Sequence, residues 1–567
     1  MEIIENHFLP EEFKISTWDK LEPFYQELNG REINSVEDLL TFLKDRSKLD
    51  SMVSEDLAWR YIHMTCDTAN LEFQEQFNFF INEIEPKTAP FSNDLNKIYF
   101  DSPFHKDLKG DEFNILYRNI EKDIKVYREE NIPVFTALQT EQKEYGATVG
   151  AMMVNVDGQD ITLPKASDYL QKTDRQVREA VYLKIQERRL QDKSKLDNLF
   201  NTLIELRTKV AINAGFANFR DYMFVSMGRF DYSVQDCFDF HQAVQVSVVP
   251  LLNEFSLDRK KTLGLETLRP WDLAVDKLQK QPLKPFENGN DLLEKTIKCF
   301  DLMDPFLGDC LREMKELNRF DLESKKGKAP GGYNYPLYKT GYPFIFMNAT
   351  SNFRDMITLL HEGGHAVHSI LTKDLELVEF KGLPSEIAEL ASMSMELITM
   401  DHWDVYFENK DDLNRAKKQH LESLIETLPW VAVIDKFQHW IYENPTHTID
   451  QRTSKWIELY DSFSSSVIDW TGLEPMKANI WQKQLHLFEV PFYYIEYGIA
   501  QLGAIGVWRN YKKNAKQGLQ SYLNALKLGS TATIPKVYET AGIPFNFTST
   551  YINELMDFVR SEIKALH

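Results

Sequence analysis

Asp355-Met-Ile-Thr-Leu-Leu-His361-Glu362-Gly363-Gly364-His365-Ala-Val-His368 is the stretch from which the rest of the chain is read. His361 and His365, four residues apart, fall about one turn apart on one face of a helix and can share one tetrahedral zinc ion. Glu362 lies between them, placed to act on water at that ion. The pattern H-E-x-x-H is the helix of zinc-dependent metallohydrolases. Gly363 and Gly364 each cost such a helix roughly 1 kcal/mol relative to Ala, so two in a row imply that another backbone, a substrate strand or a neighbouring helix, approaches closely there.

A catalytic zinc needs a third protein ligand and an open position. Downstream carboxylates are Glu376, Glu379, Glu386, Glu389 and Glu396. The run from Pro384 to Ile398 reads as a mostly apolar helix opened by Pro384 and Ser385. Glu386 falls in its first turn, where a carboxylate suits the helix dipole and water. Glu389 falls among Ile387, Leu390, Ala391 and Met393, where a carboxylate is costly unless paired or metal-bound. Glu396 lies two turns on along the same face, either orienting a ligand histidine or forming a structural salt bridge. Further on, Tyr494 and Tyr497 share a helix face by spacing, and a phenol can donate to an oxyanion.

Around these segments the chain is mainly α. Asp174 to Thr208, Val234 to Leu257, Asp411 to Asn444 and Ile449 to Thr471 carry apolar residues at intervals of three and four. Strand signals are confined to a hairpin over 152–163, turning at Asp157-Gly158, and to the Tyr-rich, Gly/Pro-punctuated stretch 331–349, expected to form a small antiparallel sheet. The least regular segment, Thr262 to Asn290, reads as a connector. An N-terminal helical region over 1–195 and a catalytic domain over 196–567 are expected.

Composition bounds the partners. The chain has 567 residues, with 65 Lys+Arg against 86 Asp+Glu, a net charge of −21, so it lacks the basic footprint of a nucleic-acid or anionic-lipid surface. No apolar run approaches the roughly 20 residues that span a bilayer. Four cysteines without a C-x-x-C pair make no disulfide framework. With acidic residues at the start in place of a secretory signal, a cytoplasmic location is expected.

The chain resembles zinc oligopeptidases of the thimet oligopeptidase and oligoendopeptidase F type, most closely the latter branch. The resemblance rests on His361 to His368, on Ile387-Ala-Glu389-Leu-Ala-Ser392 with Glu396 seven residues beyond Glu389, and on His486 to Tyr497; it spreads from about residue 150 to the C-terminus. It implies a two-lobed helical fold around a deep channel, with a small sheet beside the metal helix. It further implies one zinc ion per chain, held by His361, His365 and Glu389, with Glu362 as general base. His486, Tyr494 and Tyr497 would bind substrate and stabilise the transition state. The thimet-like pattern has more residues between that histidine and the last tyrosine, which keeps Tyr493 a candidate. Thermolysin-like and aminopeptidase spacings would put the third ligand near Pro384 or Ser385, which carry no carboxylate. The expected reaction is hydrolysis of internal bonds in short unstructured peptides. The substrate strand is expected along Phe344, Phe346 and Asn348. An exopeptidase on the same site and a non-catalytic zinc- or peptide-binding protein are the alternatives.

Overall fold

In the computed structural model of the chain, which describes residues 8–10 and 13–566, the periodic segments are helical, and two of the four are broken for local reasons. The first is two helices, α1 (Arg175–Gln191), capped by the Asp174 side chain, and α2 (Lys193–Asn213). The second is α3 (Val234–Ser247), opened by a reciprocal Ser233/Asp236 cap, and α4 (Val249–Thr262). Pro250 stands in the first turn of α4, where its missing N–H costs nothing, so the chain restarts a helix there. The histidine motif and the acidic segment form α5 (Phe353–Thr372) and α6 (Ser385–Ile398). Then come α7 (Lys410–Glu443), α8 (Ile449–Phe463), the short α9 (Leu485–Glu489) and α10 (Ile495–Lys513). None of the described helices is long and apolar enough to cross a membrane.

The hairpin forms as expected, with β1 (Met153–Val156) antiparallel to β2 (Gln159–Thr162). Asp157 and Gly158 both take positive φ, 53° and 80°, the twist a two-residue hairpin turn requires. The 331–349 stretch supplies β4 (Tyr333–Tyr335) and β5 (Phe344–Ala349), which pair antiparallel. A third strand, β3 (Phe320–Glu323), pairs parallel to β5, so the sheet is mixed, in the order β3-β5-β4.

The chain folds into two compact units, neither a continuous segment. One comprises the chain up to Tyr127, Lys284–Leu413 and Gly503–Phe545; the other comprises Arg128–Leu283, Asn414–Leu502 and the chain from Asn546. The division expected near residue 195 falls inside the second unit. Residues before and after that point are tied together there: Asn131 donates to the Val210 carbonyl at 3.0 Å and Tyr145 to the Gln482 carbonyl at 3.1 Å.

Within the first unit, the N-terminal helices bury Leu21, Tyr25, Leu39, Phe42 and Tyr99 together with Leu377 and Phe380. Nearby in sequence to α5, Phe344 and Phe346 of β5 pack with Ala58, Ile62 and Leu337. The sheet contacts α5 through β4 and β5, and the contact between α5 and α6 is the most extensive helix pairing among the described elements.

Candidate active site

That α5–α6 pairing depends on glycine. A Cβ on Gly364 would lie 2.6 Å from the Ser392 Cα and 2.8 Å from the Ala391 carbonyl oxygen, both on α6. Real side chains do not tolerate that approach, so Gly364 sets how near α6 comes. On Gly363 a Cβ would instead meet the Phe300 ring at 2.9 Å. Of the two partners the glycine pair admits in principle, the one present is a neighbouring helix.

The close approach places Glu389 of α6 opposite the two histidines of α5. Its Oε2 lies 3.4 Å from His361 Nε2 and 3.9 Å from His365 Nε2. One ligand atom from each of the three residues falls within 4.8 Å of the others. Atoms bound about 2.0–2.1 Å from a tetrahedral zinc ion must lie about 3.3–3.4 Å apart, so this donor set fits zinc with little movement. The far nitrogens are held as well. His361 Nδ1–H donates to Glu396 Oε1 at 2.6 Å, and His365 makes a hydrogen bond to the main chain at Ala388. Each ring thereby turns Nε2 toward Glu389, the orienting arrangement of ligand histidines. Ser392 Oγ–H donates to Glu389 Oε2 at 3.3 Å.

Glu362 is buried beside this cluster, with an exposure of 8%. Burial, with the Glu389 and Glu396 charges, pushes its carboxyl up to about 7, against the pull of His361 and of the Asn334 main chain. Asn334 of β4 also donates its side chain to the Glu362 carbonyl at 3.3 Å, which fastens the sheet to the helix at that residue. Burial holds His365 down to about 4, so it is a neutral imidazole with a free lone pair. Burial opposes charging of His361 too, but its bonds to Glu389 and Glu396 raise it above the ordinary value. His368, next along α5, is buried and held down to about 3 by burial and by His365. Glu386, expected to meet water, is buried at 3% exposure because α6 is enclosed from its first turn.

His486, Tyr493, Tyr494 and Tyr497 form a second group, within the other unit. His486 stands on α9; Tyr493 and Tyr494 lie in the turn before α10, so Tyr494 does not share a helix with Tyr497 as their spacing suggests. The three rings nevertheless gather around the imidazole, with centroids 6.2 Å (Tyr493), 4.7 Å (Tyr494) and 5.8 Å (Tyr497) away.

Hydrogen bonding fixes the tautomer of His486. The Trp430 indole N–H, which can only donate, gives its proton to Gln484 Oε1 at 2.8 Å. That orients the Gln484 amide, whose NH2 then faces His486 Nδ1 at 2.7 Å. Nδ1 must accept, so the neutral ring carries its proton on Nε2. Burial pushes the Tyr494 phenol up to about 12, while hydrogen bonds with Trp430 and Gln484 pull the other way, so it stays a donor at neutral pH.

The turn itself is held by buried arginines. Arg207 donates to the carbonyls of Leu487, at 2.8 Å, and Phe488, which α9 leaves without helical partners. Phe492 takes φ 67°, a left-handed conformation that a bulky side chain rarely adopts. Its N–H donates to Gln438 Oε1 at 2.7 Å, and its carbonyl accepts from Arg229, which also pairs with Glu496 at 3.1 Å. Strain tied down on both sides is typical of segments that present functional side chains. Arg207, Arg229, Gln438, Gln484 and Asn334 had no local signal in the sequence.

The expected substrate strand is corrected by the sheet order. β5 is the central strand, paired with β3 on one side and, over Phe344–Phe346, with β4 on the other, so the ladder groups an added strand would use there are already taken. Phe344 and Phe346 are buried, at 6% and 0% exposure, and the Asn348 amide is committed to the Ala329 and Gly331 carbonyls.

The chain is similar to known proteins in sequence and in fold. A model of peptidase family M3 matches residues 169–557, and one of the peptidase M3 N-terminal domain matches residues 8–127. An oligoendopeptidase F homolog of Borreliella burgdorferi is 23% identical over 409 residues, covering 70% of this chain and 65% of that protein. Oligopeptidase PepF of Bacillus subtilis is 26% identical over 303 residues, covering 52% of this chain and 44% of its own length. The chain thus matches between about half and two thirds of the length of these curated relatives. Among solved structures, PZ peptidase A with an inhibitor superposes with a TM-score of 0.91 at 25% identity, covering 98% of this chain and 99% of that one. Oligoendopeptidase-F from Enterococcus faecium shares the fold, with a TM-score of 0.66 at 16% identity over 97% of this chain and 96% of that chain.

Proposed function

The chain belongs to peptidase family M3, and from that premise we propose that it is a zinc-dependent endopeptidase of short, unstructured oligopeptides. The observation that carries the reading is the set His361, His365 and Glu389, with Glu396 behind one histidine and Glu362 buried alongside. The names of the relatives, oligoendopeptidase F and oligopeptidase PepF, support the same substrate class.

His361 and His365, each through Nε2, and Glu389, through a carboxylate oxygen, would hold the ion. Zinc bound there would supply a Lewis acid for the scissile carbonyl and a hydroxide near neutral pH. Glu362 takes the proton of the attacking water and returns it to the leaving amine. Its burial suits this, since a carboxylate lifted toward neutrality both accepts and gives up a proton there. His486 donates through Nε2–H, and Tyr494, Tyr497 and Tyr493 through their phenols, to the peptide and its developing oxyanion. The peptide lies along the outer edge of β4, the strand fastened to Glu362 by Asn334.

The test is cleavage of an internally quenched peptide of about ten residues with both ends blocked, with chelator and with zinc restored. Chelator-sensitive internal cleavage recovered by zinc is expected. No cleavage of blocked peptides, with trimming of unblocked ones, would replace this reading with an exopeptidase.

A further inference from the structure

A second cluster, remote in sequence from the H-E-x-x-H motif, repeats its logic. Cys237 and His241 are spaced i, i+4 on α3, and Asp435 and His439 are spaced i, i+4 on α7, so each pair lies on one helix face. Ligand atoms of Cys237, Asp435 and His439 all lie within 4.8 Å of one another, as do those of His361, His365 and Glu389. His439 Nε2 is 3.3 Å from Asp435 Oδ2, and His241 donates to that oxygen at 2.8 Å. All four residues are 0–1% exposed.

This burial leaves polar atoms stranded. Asp435 Oδ1, His241 Nδ1 and His439 Nδ1 have no hydrogen-bond partner among the described residues, and His439 Nε2 has the 3.3 Å approach to Asp435 Oδ2. Buried polar atoms left unsatisfied cost about 1–3 kcal/mol each, more when charged. The rings of Phe238, Phe224 and Phe492 stand around His439, with centroids 5.0, 5.9 and 5.5 Å away, and offer no donor or acceptor in exchange. A cation would satisfy a carboxylate oxygen and an imidazole lone pair at once.

We propose that Cys237, Asp435 and His439 bind a second divalent transition-metal ion, of the zinc class, with His241 orienting the carboxylate. Sulfur, nitrogen and oxygen donors together suit zinc, and Oδ1 is left to face the ion because Oδ2 accepts from His241. Binding releases the Cys237 thiol proton to solvent, leaving a thiolate-metal bond. The ion is structural: it joins α3 to α7 beside Phe492, the residue that sets the turn before Tyr493.

The test counts metal in the full-length purified chain and in His365→Ala, Cys237→Ser and the double variant. About two, one, one and no equivalents are expected. In cobalt-substituted protein, a thiolate-to-cobalt absorption band should appear in the wild type and in His365→Ala and be missing in Cys237→Ser; the first cluster contains no cysteine and cannot produce it. If Cys237→Ser does not fold, a variant with Cys66, Cys299 and Cys310 changed to Ser keeps Cys237 as its only thiol and must keep the band. A wild type with one equivalent, lost in His365→Ala, and no band would make the cluster a hydrogen-bonded ion group and overturn the proposal. Failure of the peptidase reading is distinguishable, since one equivalent lost in Cys237→Ser would remain with its band.

Discussion

The cluster on α5 and α6 and the cluster on α3 and α7 are assembled from similar parts: i, i+4 pairs, imidazoles and a buried carboxylate facing them from a second helix. They differ in exposure. The His361 and His365 side chains are 21% and 19% exposed, whereas Cys237, His241, Asp435 and His439 are closed to solvent. A metal-ligand set that reacts must leave a position that water and substrate can reach, and one that holds helices together must not. The same ligand types therefore serve opposite ends, and accessibility is the variable that separates them.

That contrast is broken or sharpened by substitution. The largest expected effect is at the open cluster: Glu362→Gln should lower turnover by about 1,000-fold or more while zinc content and melting temperature stay put. Steady-state kinetics with metal analysis checks it, and a stability loss in place of a rate loss would erase the distinction. At the closed cluster the pattern should invert. Asp435→Asn, which removes the carboxylate that would face the ion and that accepts from His241, should destabilise the fold by about 3 kcal/mol in denaturant unfolding, with the first zinc site still filled.

Next in size, Tyr497→Phe or Tyr494→Phe should cost about 100-fold in turnover with zinc content unchanged, if either phenol meets the oxyanion. Gly364→Ala sits between stability and metal binding. Its methyl must displace α6, so about 2 kcal/mol of stability should be lost together with zinc affinity, measured by unfolding and by competition with a chelator. The smallest effect is expected from Gln484→Leu, which frees the His486 tautomer: about tenfold in kcat with KM little changed, and a shift in the imidazole nitrogen resonances. A change confined to KM would make Gln484 a substrate contact.

Much of the open cluster is legible in the chain because its parts are local. His361, Glu362 and His365 share one helix, and Glu389 stands out as a carboxylate within an apolar one. Gly364 signals the neighbour that brings these helices together. What is illegible comes from elements far apart in sequence or from polar residues with ordinary surroundings. Gln484 and Arg229 act through partners at Trp430 and Phe492, 54 and 263 residues away, and no periodicity reports such contacts. β3 carries no strand signal because Asp321 and Glu323 interrupt the apolar run that marks a strand. An apolar run reads alike in central and edge positions, so the sequence of β5 does not tell that both its sides are paired; only the pairing does. Glu386 is buried although first-turn acids usually meet water, because tertiary packing overrides that tendency.

The order β3-β5-β4 has a further consequence, for self-association. The long, apolar strand β5 is shielded on both sides, and the outer strands are only four and three residues long. At about 3.3 Å per residue, the β4 edge offers roughly 10 Å of backbone, enough to seat a few residues of a peptide and too little to template a second copy of the chain. An edge kept this short is a safeguard against aggregation as well as, on the proposed function, a docking rail.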